Sequence, residues 1–342
     1  MNKKFLFGIL LGVVLIYFSI RGINFNDTLA SLKKIHLGWA ALSLFFIVFM
    51  QALRSYRWGI ILEPMEKIPQ GTLFAVTCVG FLAIAAIPAR IGELARPYLI
   101  AQKSAVKMSS ALGTIVVERV LDSLSVLTIT IAVLIVQDQL PRWMVTSGIL
   151  FFLLTLMMIT FVVGLVWRRE TAVSIINWIL RHLPGALAQK VNPFIHHFID
   201  GFQVITDVKR LLYLLVLSAV VWLVDVAAIY ALLYAFGFDL PVLAAFVVMV
   251  ILIAGIAIPT APGFIGNWHY ACILGLSLFG IAKPEGLSFA LVYHFLSMIV
   301  VVVLGAVFLP LNKFSLSEMT KQMGEKTVRS EGLGAITVKS RK

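Results

Sequence analysis

The sequence predicts an all-α, polytopic membrane protein, and three observations carry that prediction. Hydrophobic residues fill 61% of the 342 positions and the mean hydropathy is +1.00, so the chain holds several apolar runs too long for one soluble core. Two further runs are short and interrupted in matching places: IAAIPARIGELARPYLIA at 84–101 and IAGIAIPTAPGFIGNWHYACIL at 253–274. Each is an apolar run, then Ile-Pro, then a glycine-bearing break followed by polar residues. In hydrocarbon an interrupted backbone is tolerated only where protein or a wet cavity surrounds it, since each unpaired N–H or C=O costs several kcal/mol. Third, the basic residues behind the net charge of +12 stand between apolar segments, not in a stripe with interleaved aromatics. That pattern is one of membrane topology and excludes nucleic acid as the partner.

In chain order, Lys3 and Lys4 precede an apolar run from Phe5 to Ile20 that ends Phe18-Ser19-Ile20-Arg21. No small-x-small cleavage site follows, so the run reads as an uncleaved anchor. A second span runs from Trp39 to Trp58, with a tryptophan at each end for the interface; its end, ALRSYRW, sets Arg54 and Arg57 at a membrane surface. From Thr72 to Ile87 the run is about sixteen residues, roughly 24 Å of helix, short of a hydrocarbon core of roughly 30 Å. It stops at Pro88, and the amphipathic segment from Leu94 to Ser109 turns back, which predicts a re-entrant hairpin over about 72–109.

Full spans follow at Ser110–Val136 and Trp143–Trp167, joined by QDQLPR. The stretch 171–206 breaks at Pro184-Gly185, after which Leu187, Val191, Phe194, Ile195, Phe198, Phe202 and Ile205 recur at helical spacing, as in helices lying in the interface plane. Another span covers Leu211–Phe236. A second hairpin fills 241–280 with its break at PTAPGFIG, and a last span covers Leu287–Leu309. The expected architecture is one domain over 1–312, with about six full spans and two re-entrant hairpins as a pseudo-inverted repeat, then a basic tail at 313–342 that lacks apolar periodicity and is expected to be disordered. Cys78 and Cys272 lie within apolar segments and act as small hydrophobes, so neither a disulfide nor redox chemistry is expected.

With a cytoplasmic amino terminus, only Arg21, Lys33, Lys34, Arg142 and Lys283 of the 28 lysines and arginines fall outside, and Arg119 falls within a span. This asymmetry orients the chain with both termini in the cytoplasm. It also opens the first hairpin to one side and the second to the other, the arrangement of an inverted-repeat carrier whose site lies near the midplane.

The polar residues inside apolar segments need a reason, because a charge at the bilayer centre costs about 2.5–3.5 kcal/mol even on the mild insertion scale. Arg90, Glu93 and Arg96 are spaced three apart. Glu93 is expected to balance one arginine and leave the other to bind an anion such as a lipid phosphate; the bland alternative is that both arginines snorkel to the interface. Glu118 and Asp122 share one helical face, with Arg119 about a hundred degrees around. They are either partners for the hairpin arginines or a proton-binding pair. Gly263, Gly266, Asn267 and His269 stand at the second break, where a helix start offers N–H donors and His269 titrates near neutral pH or serves as a hydrogen-bonded core residue. Asp225, alone on its span, is expected to pair with His269 or His294 and, with Glu118, Asp122 and His269, is a candidate for proton or ion coupling. His196 and His197 read as surface residues. HExxH, GxSxG, paired CxxC and Walker patterns are missing, so the expectation is no enzyme, no cofactor and no metal.

Four stretches, LRSYRW at 53–58, RIGELARPYLI at 90–100, ERVLD at 118–122 and PTAPGFIGNWH at 259–269, together resemble the lysylphosphatidylglycerol synthase transmembrane-region family, from the second span to the last. In its two-domain members the membrane part is credited with moving an aminoacylated phospholipid to the outer leaflet, and a soluble aminoacyltransferase domain makes that lipid. The resemblance therefore implies a free-standing flippase-like member without that domain. Against the family pattern PGGLGxxE this chain has Pro262, Gly263, Phe264, Ile265 and Gly266, with His269 in place of the glutamate, so a carboxylate suited to a cationic headgroup is missing.

The combined expectation is a carrier in a bacterial cytoplasmic membrane that moves a phospholipid or lipid-linked molecule between leaflets by alternating access. Its substrate-binding residues would be Arg90, Glu93, Arg96, Glu118, Arg119, Asp122, Gly263, Gly266, Asn267 and His269. The alternative is an accessory or scaffold protein of a membrane lipid-synthesis or glycosyltransferase complex.

Overall fold

The computed structural model describes residues 13–23, 25–86, 92–136, 142–168, 185–257 and 262–311, with single positions 170, 174, 178 and 182. Every regular element among them is helical: α1 (13–20), α2 (Phe25–Lys33), α3 (Leu37–Leu62), α4 (Gln70–Ala86), α5 (Ala95–Lys103), α6 (Met108–Val136), α7 (Arg142–Trp167), α8 (Gly185–Asp200), α9 (Val208–Ala235), α10 (Val242–Ala257), α11 (Asn267–Ser277) and α12 (Lys283–Leu311). The fold is the expected all-α, polytopic membrane one.

Five helices, α3, α6, α7, α9 and α12, are long and apolar enough to cross a bilayer. The sixth expected span is helical over 13–20, and its earlier residues lie outside the described ones. So do Pro88, most of the QDQLPR loop, much of 171–184 and the tail. By contrast α4 and α10 hold only 17 and 16 residues, about 24–26 Å. Each packs against the short helix that follows it, α4 on α5 and α10 on α11, so both interrupted segments are helical hairpins.

Local chemistry explains how polar side chains are tolerated in apolar helices. Ser125, Thr130 and Ser218 donate to carbonyls one turn back at 2.7–3.0 Å, which satisfies each hydroxyl without a second helix. Asp207 caps α9 by accepting from the Lys209 and Arg210 amides, two donors that the helix itself leaves unused. Pro97 sits in the first turn of α5, where its missing N–H has no partner to lose.

Packing makes a bundle of these pieces. Helices α3 and α9 run antiparallel along one another: the His36 amide donates to Ala235, Ser43 Oγ donates to Ala228, and the Tyr56 and Tyr213 hydroxyls meet at 3.3 Å. Small residues let backbones close up, as is usual where lipid offers no hydrophobic drive. A Cβ on Gly113 of α6 would sit 2.3 Å from the Phe198 carbonyl oxygen of α8. Helix α12 touches α4 of the first hairpin and α11 of the second, and α4 also touches the turn at 262–264, so the two hairpins meet. At the periphery α7 shows Leu150, Leu153, Leu154, Met157 and Phe161 outward, an apolar face for acyl chains.

Candidate functional site

Between the hairpins lies a cavity of about 240 Å³ that both help to line. The first supplies Phe81, Ile84, Glu93 and Arg96; the second supplies Ile253, Ile256, Phe264 and Trp268. Its remaining polar walls are Gln51 and Arg54 of α3, Arg119 and Asp122 of α6, Trp222 and Asp225 of α9, and Tyr293 and Ser297 of α12. Asp122 lies about 21 Å along α6 and Asp225 about 26 Å along α9, near the middle of each helix.

Most of the charge is bound into one network. Arg96 grips Glu118 with two parallel bonds of 2.9 and 3.0 Å, a fork that only a planar guanidinium can offer a carboxylate. Its guanidinium lies over the Trp58 ring, 4.2 Å from the centroid, and its stem runs so close to Gly80 that a Cβ there would meet it. Arg57, with 0% exposure, donates to Asp122 at 2.6 Å and to Ser218 at 2.9 Å, and its other terminal nitrogen lies 3.6 Å from Glu118. Arg119 reaches both acids, Glu118 at 3.0 Å and Asp122 at 3.5 Å. The Trp222 indole N–H adds a bond to Asp122. Burying such a cluster is costly, and removing one member costs more than the pair contributes, because its partner is left charged and alone.

This geometry corrects several expectations. Arg54 and Arg57 do not sit at a helix end: the apolar pattern ends near them, yet α3 continues to Leu62, Arg57 is fully buried and Arg54 is half-buried on the cavity wall. Consequently Arg54, Arg57 and Arg96 do not count as loop charges in the positive-inside balance. Arg96 is tied to Glu118 by two hydrogen bonds, so it is no free anion ligand. Arg90 lies outside the described residues. Glu118 and Asp122 take the pairing role, although Asp122 is held by Arg57 and Arg119 on α3 and α6, not by the first hairpin. Asp225 bonds neither histidine; the Tyr293 hydroxyl donates to it at 2.9 Å.

The second hairpin is shaped differently. Gly263 and Gly266 have φ of +68° and +100°, conformations closed to most L residues, and Phe264 between them is held at +59°, a strain of about 1–3 kcal/mol that surrounding structure must impose. The imposing contacts are histidines. His294 Nε2 donates to the Gly263 carbonyl at 2.8 Å, the Gly266 amide donates to His269 Nδ1 at 3.4 Å, and the two imidazoles meet edge to face at 4.8 Å. Asn267 donates to the Gly255 carbonyl, tying α11 back to α10. Gly263, Gly266, Asn267 and His269 thus build the tip, while Phe264 and Trp268 are the side chains at the cavity wall. Among the described residues no three His, Cys, Asp or Glu converge as a metal would require.

Trp222 and Tyr293 are cavity residues that the sequence reading passed over, and Arg54 is one that it placed at the membrane surface. Arg54 had a signal: it lies one turn before Arg57 in LRSYRW, on the face that holds Arg57. The aromatics had none, since a Trp or Tyr in a span is ordinary.

Fold and site together define a class: an α-helical integral membrane protein in which two interrupted hairpins and an arginine–carboxylate network border a largely apolar cavity with charged groups in its wall. The chain belongs to the lysylphosphatidylglycerol synthase TM region family, whose model matches residues 5–305. It is 23% identical over 324 residues to a UPF0104 membrane protein of Methanothermobacter thermautotrophicus, spanning 91% of this chain and 96% of that one. A second relative, UPF0104 membrane protein MJ1078 of Methanocaldococcus jannaschii, is 25% identical over 228 residues, 65% of this chain and 90% of its own.

Proposed function

We propose that this protein is a non-enzymatic carrier that moves a phospholipid or lipid-linked molecule between the leaflets of the cytoplasmic membrane, with both termini in the cytoplasm. The observation that carries this reading is the cavity shared by two hairpin tips. A pocket at mid-depth, bounded by the two elements best able to move, is what alternating access requires. Helix α12 touches both hairpins, so a tilt of either is felt by the other. The polar walls would receive a headgroup while the acyl chains stay in lipid beside the bundle. The family's name, that of the TM region of lysylphosphatidylglycerol synthase, supports a lipid as cargo.

The test is purified protein in vesicles that carry acyl-labelled phospholipids, with outer-leaflet label destroyed by a membrane-impermeant reductant. Transport predicts loss of more than the half of the signal that protein-free vesicles lose. Protection of the inner half against every lipid offered would remove the carrier reading.

A second reading, a scaffold for a lipid-synthesis or glycosyltransferase complex, draws on the Arg96–Glu118–Arg57 network, which is locked as a structural element would be. It predicts no lipid movement and co-purification with such an enzyme.

A further inference from the structure

We infer that the cavity selects a zwitterionic headgroup, a phosphodiester joined by a short linker to a primary ammonium, with Arg54 taking the phosphate and Asp225 the ammonium. This deepens the reading of the cavity as a lipid-headgroup site and rests on it.

The network leaves two opposite charges uncommitted. Among the described residues no carboxylate pairs with Arg54; it is held by ring faces, with Phe81 and Trp222 at 5.4 and 5.7 Å from its guanidinium carbon. Cation–π contact fixes a guanidinium without consuming its N–H groups, so all five donors remain for an incoming oxyanion. Asp225 is 8% exposed and lines the same cavity. Its described hydrogen bond comes from a neutral donor, Tyr293, which leaves lone pairs for a cation. Trp222, the ring beneath Arg54, is one helical turn before Asp225 on α9 and lines the same cavity, so the two charges belong to neighbouring parts of one wall. They act on each other across the cavity without forming an ion pair. Trp268 adds an indole N–H that is buried, without a partner, and on the cavity wall.

Charge balance decides between ligand classes. Arg54, Arg57, Arg96 and Arg119 face Glu93, Glu118, Asp122 and Asp225, an even count among the described residues. An anionic headgroup on Arg54 would leave Asp225 as a second negative charge in a low-dielectric space, and a cationic one on Asp225 would strand Arg54. A headgroup carrying both signs keeps the balance and pairs both groups at once. The groups that act on Asp225 are Arg54 from α3, Cys272 from α11 and Tyr293 from α12, and of these only Arg54 is a cation.

Binding in detergent, measured by titration calorimetry with short-chain lipids, tests this apart from transport. Wild type should bind a phosphoethanolamine lipid at least about tenfold tighter than a phosphoglycerol lipid, since a site built to pair an ammonium rejects the analogue without it. Asp225→Asn, an isosteric change, should reverse that order, because the cavity then carries a net positive charge. Arg54→Gln should weaken both lipids, and Arg54→Lys should restore part of the affinity; Trp268→Phe should weaken both with the preference kept. Free O-phosphoethanolamine is the arm that separates a lipid from a soluble ligand: binding as tight as the lipid's assigns the site to the free compound. Equal affinity of wild type for the two lipids, or an unchanged preference in Asp225→Asn, overturns the inference. Should the vesicles show no movement of any lipid while the preference and its reversal hold, the carrier reading falls and the headgroup assignment stands.

Discussion

The two hairpins occupy matching places in the bundle but are held by opposite means. The first is fixed by charge: Arg96, in the opening turn of α5, forks onto Glu118 of α6, and its stem fills the space that Gly80 leaves. The second is fixed by contact: Gly255 approaches Ala271, Gly275 approaches the Val248 backbone, and two histidines hold the tip by single hydrogen bonds. A pseudo-repeat therefore conserves the placement of a break without conserving what secures it. The physical lesson is that an ion pair in a low-dielectric bundle is stiff and hard to part, whereas glycine packing and one hydrogen bond yield at about 1 kcal/mol apiece. The second hairpin is accordingly the one expected to move first.

The largest effect falls on the charged side. Glu118→Ala strands Arg96 and removes one partner from Arg57 and Arg119, and should cost about 3–5 kcal/mol in unfolding by a denaturing detergent. Replacing both partners, Arg96→Met with Glu118→Met, should recover part of that loss; no recovery would mean the pair is not the unit described. Next, Gly255→Leu pushes α11 off α10 and should cost about 1–3 kcal/mol by the same measurement. Arg96→Lys keeps the charge but loses one arm of the fork, for about 1.5 kcal/mol. Smallest is His294→Phe, which keeps a ring against Trp268 and His269 but frees the Gly263 carbonyl, for about 1 kcal/mol. Hydrogen exchange should then quicken at the amides of 263–266 while those of α5 stay unchanged; equal quickening of both hairpins would erase the contrast between them.

Much of the architecture was legible in the residues. The lengths of the apolar runs separated spans from hairpins, and boundaries such as Trp143–Trp167 against Arg142–Trp167 came within a few residues because membrane helices must start and stop where hydrocarbon does. Glu118 and Asp122 were legible as a pair because an i, i+4 spacing puts them on one face whatever surrounds the helix. The partners were not. That Arg96 meets Glu118, that Arg57 is enclosed, and that Asp225 faces Tyr293 across 68 positions of chain depend on how helices are laid side by side.

By itself the sequence determined that this chain is helical, that it belongs in a bilayer, and that two of its apolar segments are short and interrupted, because hydropathy and broken periodicity are properties of neighbouring residues. Only the tertiary structure decided which charges cancel and which remain. Burial assigns every acid a set of possible cations, and the antiparallel contact of α3 with α9 and the seating of α5 on α6 pick one from each set. What that choice leaves over, Arg54 and Asp225 in one cavity, is visible only once the bundle is closed.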